Sequence, residues 1–138
     1  MGRPRGVRHD SVRLDLSDGD WIEVRRVLTV GEERDLVSLA VRGYRPDGTA
    51  DLDTKMLSFL AAATYITGWS LVGMDGMALP WMVNAKVSQR VDVLRALDTG
   101  TMGEIDAAIA AHRDAVATDP NGSSGGSGEN KISSSAAA

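Results

Sequence analysis

Residues 53–68, DTKMLSFLAAATYITG, contain the longest nearly apolar run of the chain. Nearly every side chain in residues 56–66 is apolar, whereas a helix on the protein surface would carry polar residues along one side. Asp53 or Thr54 has the side chain to cap such a helix, and Gly68 is expected to end it. The pattern predicts a central core helix, or a helix that a partner buries.

Residues 12–27 precede this helix with the pattern of a β-hairpin. Apolar and polar side chains alternate from Val12 to Leu16, which is the period of a half-buried strand. Asp18-Gly19 tolerates the positive φ angles of a tight turn. The returning strand is predicted from Trp21, Ile22, Val24 and Val27.

Two Thr-x-x-Glu sequences predict the starts of two more helices. In such a capping box the hydroxyl accepts from a free backbone N–H, and the glutamate reaches back to the cap. The first box, Thr29 and Glu32, begins a helix that is expected to end at Gly43. The second, Thr101 and Glu104, begins a last helix. The apolar stripes are predicted at Leu36, Leu39 and Ala40 in the first helix, and at Ile105, Ala108, Ile109, His112 and Val116 in the last.

The segment between the central and last helices predicts a second short hairpin and a third helix. Residues 69–72 and 78–81 have the composition of two strands around a turn, and Pro80 favours an edge position. Apolar residues then recur at helical spacing over residues 87–97, and this third helix is expected to end near Gly100.

These elements predict an α+β fold with an N-terminal hairpin, four helices, and a second hairpin between helices two and three. Residues 1–10 are expected to form a flexible basic arm, and residues 11–118 one small adaptor domain. Residues 119–138 are rich in Gly, Ser and Ala, and their only large apolar side chain is Ile132. Such a tail cannot offset its ordering entropy by burial, so it is predicted to be disordered. Its Gly/Ser part also fits an engineered linker or cloning remnant.

Composition argues against several classes of protein. A net charge of -4 opposes broad nucleic-acid binding, although Arg3, Arg5 and Arg8 leave a small DNA-binding regulator as an outside alternative. The longest apolar run is about half the ~20 residues that a bilayer span needs, and no secretory signal pattern is recognised. With no cysteine and two histidines, neither a thiolate site nor a multi-histidine metal site is expected.

No arrangement of residues indicates catalysis or a cofactor. The chain has no Gly-x-Ser-x-Gly nucleophile elbow and no phosphate-binding loop. The acidic residues around the Asp-Gly pairs lack the spacing of a calcium loop, so turns explain them better. His112 is expected to be a core or boundary histidine bonded to backbone rather than a base. A non-enzymatic protein without metal or cofactor is predicted.

Tryptophan and methionine residues give the remaining signal. They lie beside predicted turns and strand ends, where part of the set is free to contact a partner. For Trp69 a core position is the favoured alternative. The candidate partner-binding residues are Trp21, Trp69, Met74, Met77, Leu79 and Trp81.

Three segments taken in order resemble the tail assembly chaperones of long-tailed bacteriophages. They are residues 16–24 (LSDGDWIEV), residues 28–34 (LTVGEER) and residues 69–80, with WSL, DG and LP at their matching places. The resemblance implies an adaptor in the cytoplasm of the bacterial host that coats the tape measure protein and recruits major tail protein subunits. Repeated copies along such a rod would favour weak self-association between neighbouring copies. It also implies a longer frameshifted form, with residues 128–131 (GENK) as a candidate junction. A structural virion protein, such as a head-to-tail connector or minor tail component, is the alternative.

Overall fold

The computed structural model describes residues 10–118, and the predictions of a basic arm, a disordered tail and a frameshift junction lie outside these residues. Within them the α+β class, the N-terminal hairpin and the four helices are confirmed. The strands are β1 (Ser11–Asp15), β2 (Trp21–Arg25), β3 (Val41–Tyr44), β4 (Ala50–Leu52) and β5 (Ile66–Trp69). The helices are α1 (Val30–Ala40), α2 (Thr54–Tyr65), α3 (Val87–Arg95) and α4 (Thr99–Thr118).

The main sheet is antiparallel, with the strand order β1-β2-β5. Ile22 lies in the middle strand opposite Leu14 on one side and Trp69 on the other. Because side chains alternate across a strand, Ile22 and Val24 share one face of the sheet, and both are fully buried. This inner face forms one wall of the core.

Helix α2 forms the other wall, so the prediction of a central core helix is confirmed. Its buried residues include Leu60, Ala63 and Tyr65, and the Asp53 carboxylate caps it by accepting from the Met56 N–H at 3.1 Å. The helix ends at Tyr65, and the next four residues form β5 on the edge of β2. The prediction that Gly68 ends the helix was therefore wrong, because the chain leaves the helix after Tyr65 and residues 66–69 pair with β2.

A two-stranded hairpin of β3 and β4 was not predicted. The chain leaves α1 after Ala40 directly into β3, so Gly43 lies within a strand rather than at the helix end. Residues 45–48 form the turn between these two strands, with Gly48 at φ 88°. The Asp47 carboxylate accepts from the Thr49 N–H at 2.9 Å, which is a local bond that stabilises the turn.

Two predictions about helix α1 had different outcomes. The capping box is confirmed, because Thr29 and Glu32 exchange backbone-to-side-chain bonds of 2.9 and 3.1 Å. The apolar stripe is only partly present: Leu36 and Ala40 are buried, whereas Leu39 is 57% exposed. Leu36 and Ala40 are one helical turn apart and face the core, and Leu39 lies to one side of them.

The second capping box was wrong in its residues. Helix α4 begins at Thr99, and the Asp98 carboxylate accepts from the Thr101 N–H at 2.8 Å. Glu104 accepts instead from the Ser17 N–H at 2.7 Å, so it connects α4 to the first hairpin. His112 is buried, and its Nε2 lies 2.9 Å from the Arg26 carbonyl, as predicted for a boundary histidine.

Candidate partner-binding site

The predicted second hairpin is reduced to a loop in which one antiparallel bridge joins the two predicted segments, and the full strands do not form. Residue Trp69, expected to open a new strand pair, already belongs to β5 and pairs with β2. In the segment that follows, a single bridge joins Val72 to Ala78, and no further ladder forms. We call residues 70–86, between β5 and α3, the 70–86 loop.

The loop begins on the first hairpin through Ser70. The Ser70 hydroxyl accepts from the Trp21 N–H at 2.9 Å and donates to the Asp20 carboxylate at 3.0 Å. The Ser70 N–H donates in turn to the Trp21 carbonyl at 3.1 Å. These bonds hold the start of the loop against the turn of the hairpin.

Two tryptophans anchor the loop at its base. The Trp69 indole donates to the Leu79 carbonyl at 2.8 Å, and the Trp81 indole donates to the Ile66 carbonyl at 2.9 Å. Their ring centroids lie 4.7 Å apart, with the planes inclined by 54°. Both side chains are half-buried and pack with Leu79 against the core, so all three have a structural role at the base.

The tip of the loop is held by backbone hydrogen bonds. The Gly73 N–H donates to the Met77 carbonyl at 2.7 Å, and the Gly76 N–H donates to the Gly73 carbonyl at 2.9 Å. Gly76 has a φ of 77°, a region that other L residues rarely adopt. The Met77 N–H donates to the Asp75 carboxylate at 2.9 Å. The tip therefore has a defined turn without a sheet to support it.

This anchored loop carries apolar side chains into solvent. Met74 is 109% exposed and Met77 is 68% exposed, relative to a fully accessible residue. Val72 and Met82, which the sequence analysis did not select, are each 58% exposed. Because methionine is flexible and polarizable, such a group adapts to the shape of a partner's apolar surface.

Trp21 does not join this group. It lies next to Ile22 in β2 and therefore points to the opposite, outer face of the sheet. There the Arg13 guanidinium stacks over its ring, 3.9 Å from the centroid. The structure thus separates the six predicted residues into a half-buried base (Trp69, Leu79 and Trp81), an exposed tip (Met74 and Met77) and one residue on the outer face (Trp21).

A cleft between α1, α2 and α3 has a volume of about 380 Å³. Glu32 lies on its rim and pairs with Arg25. Burial alone would raise the pKa of Glu32, but hydrogen bonds from Thr29 and the Arg25 charge lower it below its usual value. Burial lowers the pKa of Arg90, whose Nε has no hydrogen-bond partner within residues 10–118. Glu32 and Arg25 form an ion pair at this cleft. No group of three metal-ligating side chains exists within residues 10–118.

Comparisons with other proteins leave the site to be interpreted from its own geometry. The chain matches no protein-family model, no curated protein and no solved structure. Among residues 10–118, no helix combines the length and apolarity that crossing a membrane requires. The features of the chain that bear on its function are therefore the anchored loop and its exposed methionines.

Proposed function

We propose that this protein is a tail assembly chaperone that binds the tape measure protein through the 70–86 loop and helps to recruit tail tube subunits. The observation that carries the proposal is the exposed apolar set of Val72, Met74, Met77 and Met82 on a loop with a fixed base. The resemblance of residues 16–24, 28–34 and 69–80 to that family supplies the identity of the partner.

The chemistry of the loop suits an apolar stripe on a helix. Asp75 is its only charged residue between Ser70 and Ala85, so its contact surface is almost neutral. A tape measure protein is a long helical rod, and its helices need their apolar faces covered before the tail tube surrounds them. Methionine side chains adapt to several related stripes, which suits a chaperone that binds repeatedly along one rod.

The indole bonds at the base favour binding without a large rearrangement. Trp69 and Trp81 each donate to a backbone carbonyl, and these two bonds hold residues 79–81 of the loop against β5. A loop already ordered in the free protein loses less entropy when it binds. In this proposal the tryptophans position the loop, and the methionines make the contact.

The test is co-expression of the full chain with segments of the tape measure protein. A triple variant replaces Met74, Met77 and Met82 with serine, and retention of the segment is measured by affinity purification and titration calorimetry. We expect at least tenfold weaker binding, because three apolar side chains that would contact the partner are removed together. The thermal unfolding midpoint should change little, since these side chains are mostly in solvent.

The matched control removes the same number of exposed apolar side chains from α1. Val30, Val37 and Leu39 are 77%, 41% and 57% exposed and are replaced with serine in a second triple variant. This control should retain the tape measure segment as the wild type does. Equal losses in both variants, or full retention by the methionine variant, would contradict the proposal.

A further inference from the structure

Within residues 10–118, the outer edge of strand β1 has backbone groups that no other strand pairs with. The Asp10 carbonyl accepts from the Arg26 N–H at 3.0 Å, and the Leu16 N–H donates to the Asp20 carbonyl at 2.8 Å. Hydrogen-bonded pairs alternate along an antiparallel ladder, so Val12 and Leu14 also direct their backbone groups towards β2. The backbone groups of residues 11, 13 and 15 therefore point away from the sheet. No strand within residues 10–118 pairs with them.

The opposite edge of the same sheet is strand β5, and a side chain of the 70–86 loop bonds to it. There the Trp81 indole donates to the Ile66 carbonyl at 2.9 Å, so part of the 70–86 loop, which comes after β5 in the chain, is bonded to this strand. An uncovered strand edge is a template for pairing with another strand. The contrast between the two edges indicates that β1 is the one open to a partner.

We infer that β1 pairs antiparallel with β1 of a second copy of this chain. In the register that we assign, Leu14 lies opposite Leu14 of the second copy, on the two-fold axis. Arg13 then lies opposite Asp15 of the other copy, and Asp15 opposite Arg13. Residues 13 and 15 are the ones whose backbone groups point outward, so each such pair exchanges both backbone hydrogen bonds.

Side chains on both faces of the new ladder support this register. On the outer face, Arg13 and Asp15 are exposed and carry opposite charges. The Arg13 guanidinium stacks over Trp21 of its own chain, and the symmetric pairing adds a cross-strand ion pair to each of the two arginines. On the inner face, Val12, Leu14 and Leu16 are only half-buried in the single chain. The register brings Leu14 against its own copy and Val12 against Leu16. Each face therefore gains a matching contact.

The dimer leaves the 70–86 loops free. Because the strand order is β1-β2-β5, the dimer joins two three-stranded sheets into one, with the two β5 strands at its far edges. The loops that follow β5 lie at those far ends. Self-association through β1 and partner binding through the loop are thus compatible, and neither depends on the other. The short strand predicts a weak, reversible dimer.

The test uses charge reversal in the full chain, measured by sedimentation equilibrium from about 10 μM to 1 mM. Arg13→Asp places two carboxylates opposite each other in the dimer, and Asp15→Arg places two guanidinium groups there. Each single variant is expected to dimerise at least tenfold more weakly than the wild type. An equimolar mixture of the two variants should recover dimer, because every Arg–Asp pair is restored between unlike chains.

Controls separate this register from general effects of charge or folding. Arg42→Asp alters an exposed arginine that pairs with Asp51 at 3.2 Å in the β3–β4 hairpin, and it should dimerise as the wild type does. Arg13→Pro removes an outward N–H and should leave only monomer. Circular dichroism of each variant shows whether it is folded. A wild-type chain that stays monomeric to 1 mM, single variants that dimerise normally, or a mixture that stays monomeric would overturn the inference.

Discussion

The first hairpin and the 70–86 loop have similar sequences and different structures. Each contains an Asp-Gly turn with a tryptophan nearby, and in each turn the glycine has a positive φ, 79° at Gly19 and 77° at Gly76. In the hairpin, β1 and β2 pair without interruption from Ser11 to Asp15. In the loop, one bridge forms between Val72 and Ala78.

The difference lies in what flanks the turns. Alternation in β1 and β2 places Ile22 and Val24 on one buried face, so pairing these strands also builds the core. The loop has no such period, and its neighbouring strand β5 already pairs with β2. A turn sequence thus specifies a turn, whereas a sheet also requires a face to bury and an edge to join. Apolar side chains that find neither remain exposed, as Met74 and Met77 do.

The largest effect should come from truncating the hairpin's buried face. Ile22→Ala removes most of a fully buried side chain on the inner face of the sheet and should lower the free energy of unfolding by about 2 to 5 kcal/mol. Met77→Ala is the matched change in the loop and should cost less than about 0.5 kcal/mol, because Met77 is 68% exposed. Urea unfolding of both variants measures the contrast. Similar costs at the two positions would show that the loop is part of the core.

An intermediate effect is expected at the base of the loop. Trp81→Phe keeps an aromatic ring against Trp69 but leaves the buried Ile66 carbonyl without its donor, at a cost of about 1 to 3 kcal/mol. Hydrogen exchange should accelerate in residues 79–86 more than in β1 and β2. Met82→Leu, a change at the exposed neighbour, is the control and should leave both quantities unchanged. Faster exchange across the whole chain in Trp81→Phe would contradict a local anchor.

The smallest effect should be an acid response at Glu32, which pairs with the end of the hairpin. The pKa of Glu32 is lowered in the folded protein from a usual value of 4.5, and its partner Arg25 ends β2. The resulting stabilisation is present above about pH 4.5 and is lost as the pH falls through the folded-state pKa. Glu32→Gln should cost less than about 1 kcal/mol at pH 7, since the pair is partly exposed to solvent.

Thermal unfolding between pH 3 and pH 7 separates this response from the loop. The stability difference between Glu32→Gln and the wild type should shrink as the pH falls below about 4.5. The difference for Trp81→Phe should stay constant over the same range, because an indole N–H does not titrate. A Glu32→Gln difference that grows in acid would contradict the lowered pKa.

Local patterns in the sequence predicted much of this fold. The alternation before Asp18, the capping box of Thr29 and the apolar run of α2 each gave the correct element, since each depends on nearby residues. Errors arose where distant residues compete. Glu104 binds Ser17 rather than its own helix cap, and Gly68 joins a strand because β2 offers an edge.

The candidate site was predictable in composition but not in arrangement. Methionines beside an Asp-Gly turn indicated an exposed tip, and Met74 and Met77 are exposed. Nothing in the sequence places Trp21 on the opposite face from Trp69, because that depends on the register of β2 with β5. Met82 was missed because it follows Trp81, which was assigned to the end of a predicted strand.

In the proposed function the 70–86 loop, and not another apolar surface, contacts the tape measure protein. Hydrogen–deuterium exchange of the full chain, alone and saturated with a tape measure segment, tests it most directly. Binding through the loop should slow exchange in residues 70–86 and leave exchange in residues 30–40 of α1 unchanged. Protection that appears in α1 or on the outer face of the sheet, with the loop unchanged, would contradict it.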